Sequence, residues 1–233
     1  MTASDSKSKE GLATQRRYDR QAAFYDLIDL PVELAVFKRL RRRLWSDVRG
    51  ALVLEIGVGT GKNVRHYPEG TRALAVDISP RMLRRAARRA RRLHGNVDMV
   101  LADIQHLPFR DGAFDTAVGT FVFCSVPDPV SGLKEVRRVI QDAGRVHLLE
   151  HVRAGNPVIG SLMDLANPIS VRLSGANINR DTVSNVAKAD IALDSVESHG
   201  LGLLKLIRGS PRLACQARET ATAVTGIDAK CGT

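Results

Sequence analysis

The sequence predicts a doubly wound α/β fold, a mostly parallel sheet with helices on both faces. Three observations carry that reading. Short apolar runs alternate with amphipathic helical segments from residue 51 to residue 152, which is the rhythm of β-α-β units. The first run, "ALVLEIG" (51–57), breaks into a turn with glycines at 57, 59 and 61. Acidic residues close the next two runs, Asp77 in "RALAVDIS" and Asp103 in "VDMVLAD".

The elements follow in order. Residues 1–15 are polar, lack the apolar core of a signal peptide, and read as a disordered arm. Asp19 to Leu30, with Ala22, Ala23, Tyr25 and Leu27, reads as a helix, and Pro31 can open the next one. From Val32 to Trp45, Val36, Phe37, Leu40 and Leu44 recur at helical spacing, with Lys38, Arg39 and Arg41 to Arg43 largely elsewhere. Strands are expected at 51–57, 72–79, 97–103, 114–123 and 144–152, and helices at 81–94 and 128–140. Leu83, Ala86, Ala87 and Ala90 give the first of these helices a narrow apolar stripe. Beyond residue 152 the rhythm breaks into a Pro/Gly-punctuated apolar insertion. A short helix capped by Asp181 or Asn179 and a late pair of strands come next, and 212–233 reads as a loose tail. One domain over 16–211 results, with a helical lid (16–48), a core (49–152), and an insertion with the last strands (153–211).

Composition narrows the class. At 233 residues and 44% hydrophobic, the chain holds one domain with a real core, which excludes wholesale disorder. Cys124, Cys215 and Cys231 are odd in number and lack metal-ligand spacing. They favour a reducing cytoplasm over a disulfide scaffold, and no metal site is expected. No run reaches the 18 or more apolar residues of a spanning helix. Net charge is +10, which suits nucleic acid or an acidic membrane face, or reflects an arginine-rich composition alone.

Glycines at a strand end allow a left-handed turn and let a ligand touch bare backbone. The helix that follows turns its N-terminal N–H groups to the same ligand. The sixth position of a G-x-G-x-x-G fingerprint is Lys62 here, so the spacing is Glu55-x-Gly57-x-Gly59-x-Gly61. A plain tight turn would also use such glycines. Asp77 suits the paired hydroxyls of a ribose and Asp103 the amino group of a purine, although Asp is also common in turns and caps.

With "LEIGVGTG", "AVDISPRML", "ADIQHLPFRDGAFD" and "GRVHLLEH", residues 18–152 resemble the class I S-adenosylmethionine-dependent methyltransferases. The resemblance implies a Rossmann-like sheet and S-adenosyl-L-methionine as cofactor. Glu55 and the Gly57, Gly59 and Gly61 loop would bracket the methionine moiety. Asp77 with Ile78 would hold the ribose, Asp103 with Ile104 the adenine, and Thr120 would complete the set. One departure is "QDAG" at 141–144, where many members have a Pro-Gly-Gly turn before a strand.

"RYDRQAAFYDLID" is similar to the opening segment of the ubiquinone/menaquinone C-methyltransferases and bacterial phosphatidylethanolamine N-methyltransferases. There the first helix lies over the cofactor, which implies catalytic positions for Tyr18 and Tyr25; a helix face packed on the sheet has the same spacing. His151, just past a strand end, could bond the acceptor or take its proton, or be a satisfied surface histidine, and His106 is a weaker candidate of that kind. Methyl transfer needs alignment more than acid or base, so no strong catalytic motif is expected.

The best match is an enzyme acting on a membrane-borne or apolar small acceptor, with phosphatidylethanolamine first. Quinone precursors, thiols and other small molecules are the alternatives. Phe37, Leu40, Leu44 and Trp45 beside the arginines suit attachment to an anionic inner membrane face from the cytoplasm, or packing on the core. A nucleic-acid enzyme fits less well. "TFVFCSVPD" replaces the Asn/Asp-Pro-Pro-Tyr/Phe motif of base-modifying enzymes, and aromatics are only 4% of the chain, few for stacking. A non-enzymatic basic protein on the same fold is opposed by the intact Glu55, Asp77 and Asp103 set.

Overall fold

The computed structural model describes residues 3–22, 33–93, 96–173 and 175–211. Seven strands form one sheet: β1 (Leu52–Ile56), β2 (Arg72–Asp77), β3 (Val97–Leu101), β4 (Phe114–Thr120), β5 (Ile140–His151), β6 (Ile191–His199) and β7 (Leu204–Pro211). Their order is β3-β2-β1-β4-β5-β7-β6. The first five run parallel, and β7 is antiparallel to both its neighbours. Strand order reverses between β1 and β4, so a crevice opens at their carboxyl ends.

Side chains alternate across the sheet because a strand has a period of two. Leu54 and Ile56 join the cluster under α4 (Pro129–Val139), with Leu133 and Val136. Val53 faces the other way, into a cluster with Leu40, Leu44 and Trp45 of α2 (Lys38–Ser46). Burying a side chain such as Leu44 stabilises the fold by about 1.5–3 kcal/mol.

α3 (Pro80–Arg92) starts where the sequence supplies a cap. Ser79 accepts from the Met82 amide at 3.1 Å, and Pro80 occupies the first turn. Met82, Leu83, Ala86 and Ala90 are buried, and the small alanines let this arginine-rich helix sit close to the sheet. Asp181 caps α6 (Thr182–Lys188) in the same way, accepting from Ser184.

Several expectations change. In place of an arm over 1–15, α1 runs from Ala3 to Gln21. Its sequence holds no proline, and tertiary contacts fix it: Gly11 is buried, and Asp19 accepts from the Ser79 hydroxyl at 2.6 Å and the Arg81 amide at 3.1 Å. Residues 23–32, with most of the expected second half of the lid helix, lie outside the described residues. A π-helical turn, Glu33–Phe37, leads into α2. The apolar side of α2 is core, not a membrane face: Leu40, Leu44 and Trp45 are buried. Arg41 is buried as well, and Arg43 pairs with Glu197 at 3.0 Å. "QDAG" forms no separate turn, because β5 already begins at Ile140. The insertion is one helix, α5 (Pro157–Leu173), which tolerates Pro168 inside it on an exposed side where water can take the freed carbonyl. Among the described residues no helix is long and apolar enough to cross a membrane.

Candidate active site

The crevice holds an open pocket. Gly57 to Thr60 line it after β1, Asp77 and Ile78 after β2, Asp103 and Ile104 after β3, and Thr120 to Val122 after β4. Thr14 and Tyr18 of α1 cover it, and Arg41 of α2 reaches it from below.

All three loop glycines adopt left-handed φ, +64° at Gly57, +55° at Gly59 and +79° at Gly61, but they serve different ends. A Cβ on Gly59 would have nothing within 4 Å, so its bare face opens into the pocket. One on Gly61 would stand 2.9 Å from the Ala86 Cα, so that glycine lets the loop pack on α3. One on Gly57 would strike Val122 at 2.5 Å, which brings the β1 and β4 loops together.

Asp77 anchors that loop. Its Oδ2 accepts from the Gly59 amide at 2.8 Å and its Oδ1 from the Ser79 amide at 2.9 Å. Each oxygen keeps a second lone pair for a ligand hydroxyl. Burial pushes the carboxyl up to about 6, against the pull of those amides. Asp103 is braced by Gln105, whose amide donates to Oδ1 at 2.9 Å. The Gln105 side chain adds bonds of 3.2 Å and accepts from the Asp128 amide at 3.1 Å, linking the β3 end to the start of α4. A Cβ on Gly11 would lie 3.1 Å from Asp103 Oδ2, so the glycine lets α1 pass close over this carboxylate.

Glu55 stands one layer back. It is 1% exposed and does not line the pocket. Asn63 donates to it at 2.6 Å, and so does the Tyr67 hydroxyl. Burial raises its carboxyl to about 7 against both bonds. The same Asn63 amide donates to the Thr120 hydroxyl at 2.9 Å, and its oxygen accepts from Arg41 at 2.9 Å. Glu55 therefore fixes Asn63, which lines the wall in its place. Arg41 and Lys62 share Glu33, at 3.0 and 3.4 Å.

The wall after β4 is mostly apolar: Phe121, Val122, Val126 and Pro127, with Ser125 between them. Phe121 has φ +58°, and the Arg41 guanidinium lies 5.4 Å from its ring centroid. Glu150 of β5 sets this loop. It is fully buried and accepts from the Val122 amide at 2.9 Å and the Phe123 amide at 3.2 Å. Burial holds its carboxyl near 7. Tyr18 faces the same space; burial pushes its phenol up, opposed by a hydrogen bond with Ser125.

The structure thus gathers Tyr18, Gly57, Gly59, Asp77, Ile78, Asp103, Ile104 and Thr120 around one pocket. Glu55 and Gly61 support it from behind. His151, half-buried at the end of β5, does not line it, and its Nδ1 has no partner. Burial lowers its pKa, so it stays neutral. His106 does not line the pocket either. Tyr25 lies outside the described residues. Sequence reasoning missed Asn63, Arg41, Gln105 and Glu150. Gln105 had a signal, a polar residue two past the strand-end aspartate; the others sit amid polar or apolar neighbours that hide them.

Residues 54–148 match the model of a methyltransferase domain. The chain is 32% identical over 183 residues to the ubiquinone/menaquinone biosynthesis C-methyltransferase UbiE of Hahella chejuensis, covering 72% of this chain and 71% of that one. It is 35% identical over 115 residues to the phosphatidylethanolamine N-methyltransferase of Cereibacter sphaeroides, where it spans 57% of the relative and 48% of itself. Among solved structures, geranyl diphosphate C-methyltransferase of Streptomyces coelicolor, in complex with Mg2+, geranyl diphosphate and S-adenosyl-L-homocysteine, aligns with a TM-score of 0.64. That alignment has 16% identity and covers 81% of this chain and 84% of that one.

Proposed function

Because the chain belongs to the class I S-adenosylmethionine-dependent methyltransferases, we propose that its acceptor is a membrane-borne or apolar small molecule, with the amine of phosphatidylethanolamine as the best fit. Its donor is S-adenosyl-L-methionine, which supplies an electrophilic methyl group on a sulfonium. The pocket fits that donor: Asp77 has lone pairs for two ribose hydroxyls, Gly59 offers bare backbone, and Asp103 stands at the next strand end. On this reading Gly57, Gly59, Asp77, Ile78, Asp103, Ile104 and Thr120 hold the cofactor, with Glu55 and Gly61 behind them.

The observation that carries the acceptor class is the wall of Phe121, Val122, Val126 and Pro127, with Tyr18, Ser125 and the Arg41 guanidinium over Phe121 as polar groups beside it. Such a wall takes an apolar body and orients one polar nucleophile. The raised Tyr18 phenol stays protonated at neutral pH, so it orients an amine and does not deprotonate it. The amine proton passes to water at the open mouth. Holding nitrogen and methyl carbon in line then provides most of the rate. On this reading α1 is the lid of one catalytic unit that runs to residue 211, working from the cytoplasm on the inner membrane face.

A second reading, methylation of a quinone precursor, is favoured by the length of the match to the ubiquinone/menaquinone enzyme, 72% of this chain against 48%. Incubation with methyl-labelled cofactor and vesicles of phosphatidylethanolamine decides between them. Label in the lipid headgroup is expected. Label confined to a quinone precursor, a thiol or RNA in a mixed extract overturns the lipid reading.

A further inference from the structure

α5 turns Val158, Leu162, Leu165 and Ile169 outward, 68, 61, 77 and 64% exposed. Their spacing of four, three and four residues puts them on one side of the helix. The opposite side is committed to the protein. Met163 is buried, and Asn167 donates to Asn177 at 3.2 Å and accepts from the Ile178 amide at 2.9 Å. The helix has one acid, Asp164, and it pairs with Arg153 at 2.8 Å. Arg172, in the last turn, is exposed.

The ridge lies at the pocket's end of the sheet. α5 follows β5, whose final residue His151 pairs with Leu204. Leu201, in the adjacent β6–β7 turn, is 85% exposed and adds an apolar tip there. Past the far end of α5, a Cβ on Gly175 would touch the Arg17 side chain, one residue from Tyr18 in the pocket wall. Asn177 donates to the carbonyl of Cys124, beside Ser125 of the same wall.

We propose that the outer face of α5, with Leu201, is a docking ridge that seats the pocket mouth on a bilayer carrying anionic headgroups. The four side chains expose on the order of 400 Å² of apolar surface, about half of what each partner of a stable protein dimer contributes. A helix with a charge-free apolar side matches the acyl boundary of a membrane, which takes such a face about 5–10 Å deep. Charge agrees: Arg172 in the last turn of the ridge helix is exposed, Arg17 of α1 reaches its far end at Gly175, and the chain carries +10. This inference rests on the lipid reading for its purpose but is tested apart from it.

The test compares the full chain with the triple variant Leu162→Gln, Leu165→Gln, Ile169→Gln in flotation with two vesicle types. One contains phosphatidylethanolamine and phosphatidylglycerol, the other only phosphatidylcholine. All three positions are exposed, so unchanged melting and cofactor affinity are expected. The wild type should float with the anionic vesicles, and the variant should lose at least about 30-fold in partition. Methylation of a short-chain, water-soluble acceptor should not change. Variant binding equal to wild type overturns the ridge, even if lipid is methylated in detergent. A concentration-dependent dimer that the same variant abolishes, with no vesicle binding, also overturns it in favour of a second copy. Vesicle binding lost in the variant upholds the ridge even if no lipid is ever methylated, in which case only the acceptor reading fails.

Discussion

The pocket wall after β1, β2 and β3 is held by backbone and by carboxylates at successive strand ends. The wall after β4 is held by groups from distant parts of the chain. Asp77 grips the amides of its own loop region, Gly59 and Ser79. Val122 and Phe123 instead hang on Glu150, a whole helix and strand later, and Val122 shares the pocket with Tyr18 of the first helix. The first wall is a local construction that one stretch of sequence specifies. The second exists only after the sheet has formed.

The largest test of this contrast is Glu150→Ala. It leaves two buried amides without an acceptor, at about 1–3 kcal/mol each, so a loss of about 2–6 kcal/mol is expected in denaturant titration. Glu150→Gln keeps an acceptor and should stay within about 1 kcal/mol of wild type. A wild-type melt for Glu150→Ala would mean that the β4 wall stands without it.

Next come the two glycines. Gly61→Ala forces a Cβ against the backbone of α3 in a left-handed conformation and should destabilise by about 2–3 kcal/mol. Gly59→Ala meets open space and should lose only about 1 kcal/mol of stability from its backbone conformation, while weakening the cofactor in calorimetry. Equal effects on folding would dissolve the division between a packing glycine and a ligand-facing one.

Asp77→Ala should weaken cofactor binding by about 10- to 150-fold, since bonds to a charged acceptor contribute about 1.5–3 kcal/mol. Unchanged affinity in a folded variant would remove Asp77 from the site.

The smallest effect is that of pH. Asp77 in the folded chain titrates near 6, above the ordinary aspartate range, because of burial. Its ionised form is the one that accepts two hydroxyls, so cofactor affinity should fall by up to about tenfold from pH 7 to pH 5. Stability moves the other way. The folded state keeps a proton that the unfolded chain releases, so this residue's contribution is greatest below the unfolded pKa and is withdrawn as pH rises through 6. Affinity that is flat with pH in the wild type would place the titration elsewhere.

The same contrast explains what was legible in the sequence. The glycine loop, Asp77, Asp103 and the alternating elements lie in short motifs whose residue types have few other uses together. Glu150 lay in a strand that read as apolar, and its role depends on a loop nearly thirty positions upstream. α1 was hidden for another reason: its polar stretch lacks an apolar period, and its docking rests on Gly11 and Asp19, each ordinary in a loop. α2 stayed open between a membrane face and core packing, because arginines beside leucines suit both until Glu33 and Asn63 are seen to hold Arg41 inside. Pro168 and the glycines made α5 look like broken chain, yet its packed polar side holds it as one helix.

Asp19 joins α1 to the end of β2, through the Ser79 hydroxyl and the Arg81 amide. Two bonds to a carboxylate contribute about 3–6 kcal/mol together, so the latch stands open only about one part in 10² to 10⁴ of the time. A cofactor held beneath α1 is expected to leave only when that latch opens. Asp19→Ala should therefore speed release of S-adenosyl-L-homocysteine in stopped flow, and an unchanged release rate would mean that product leaves by the open mouth without moving the helix.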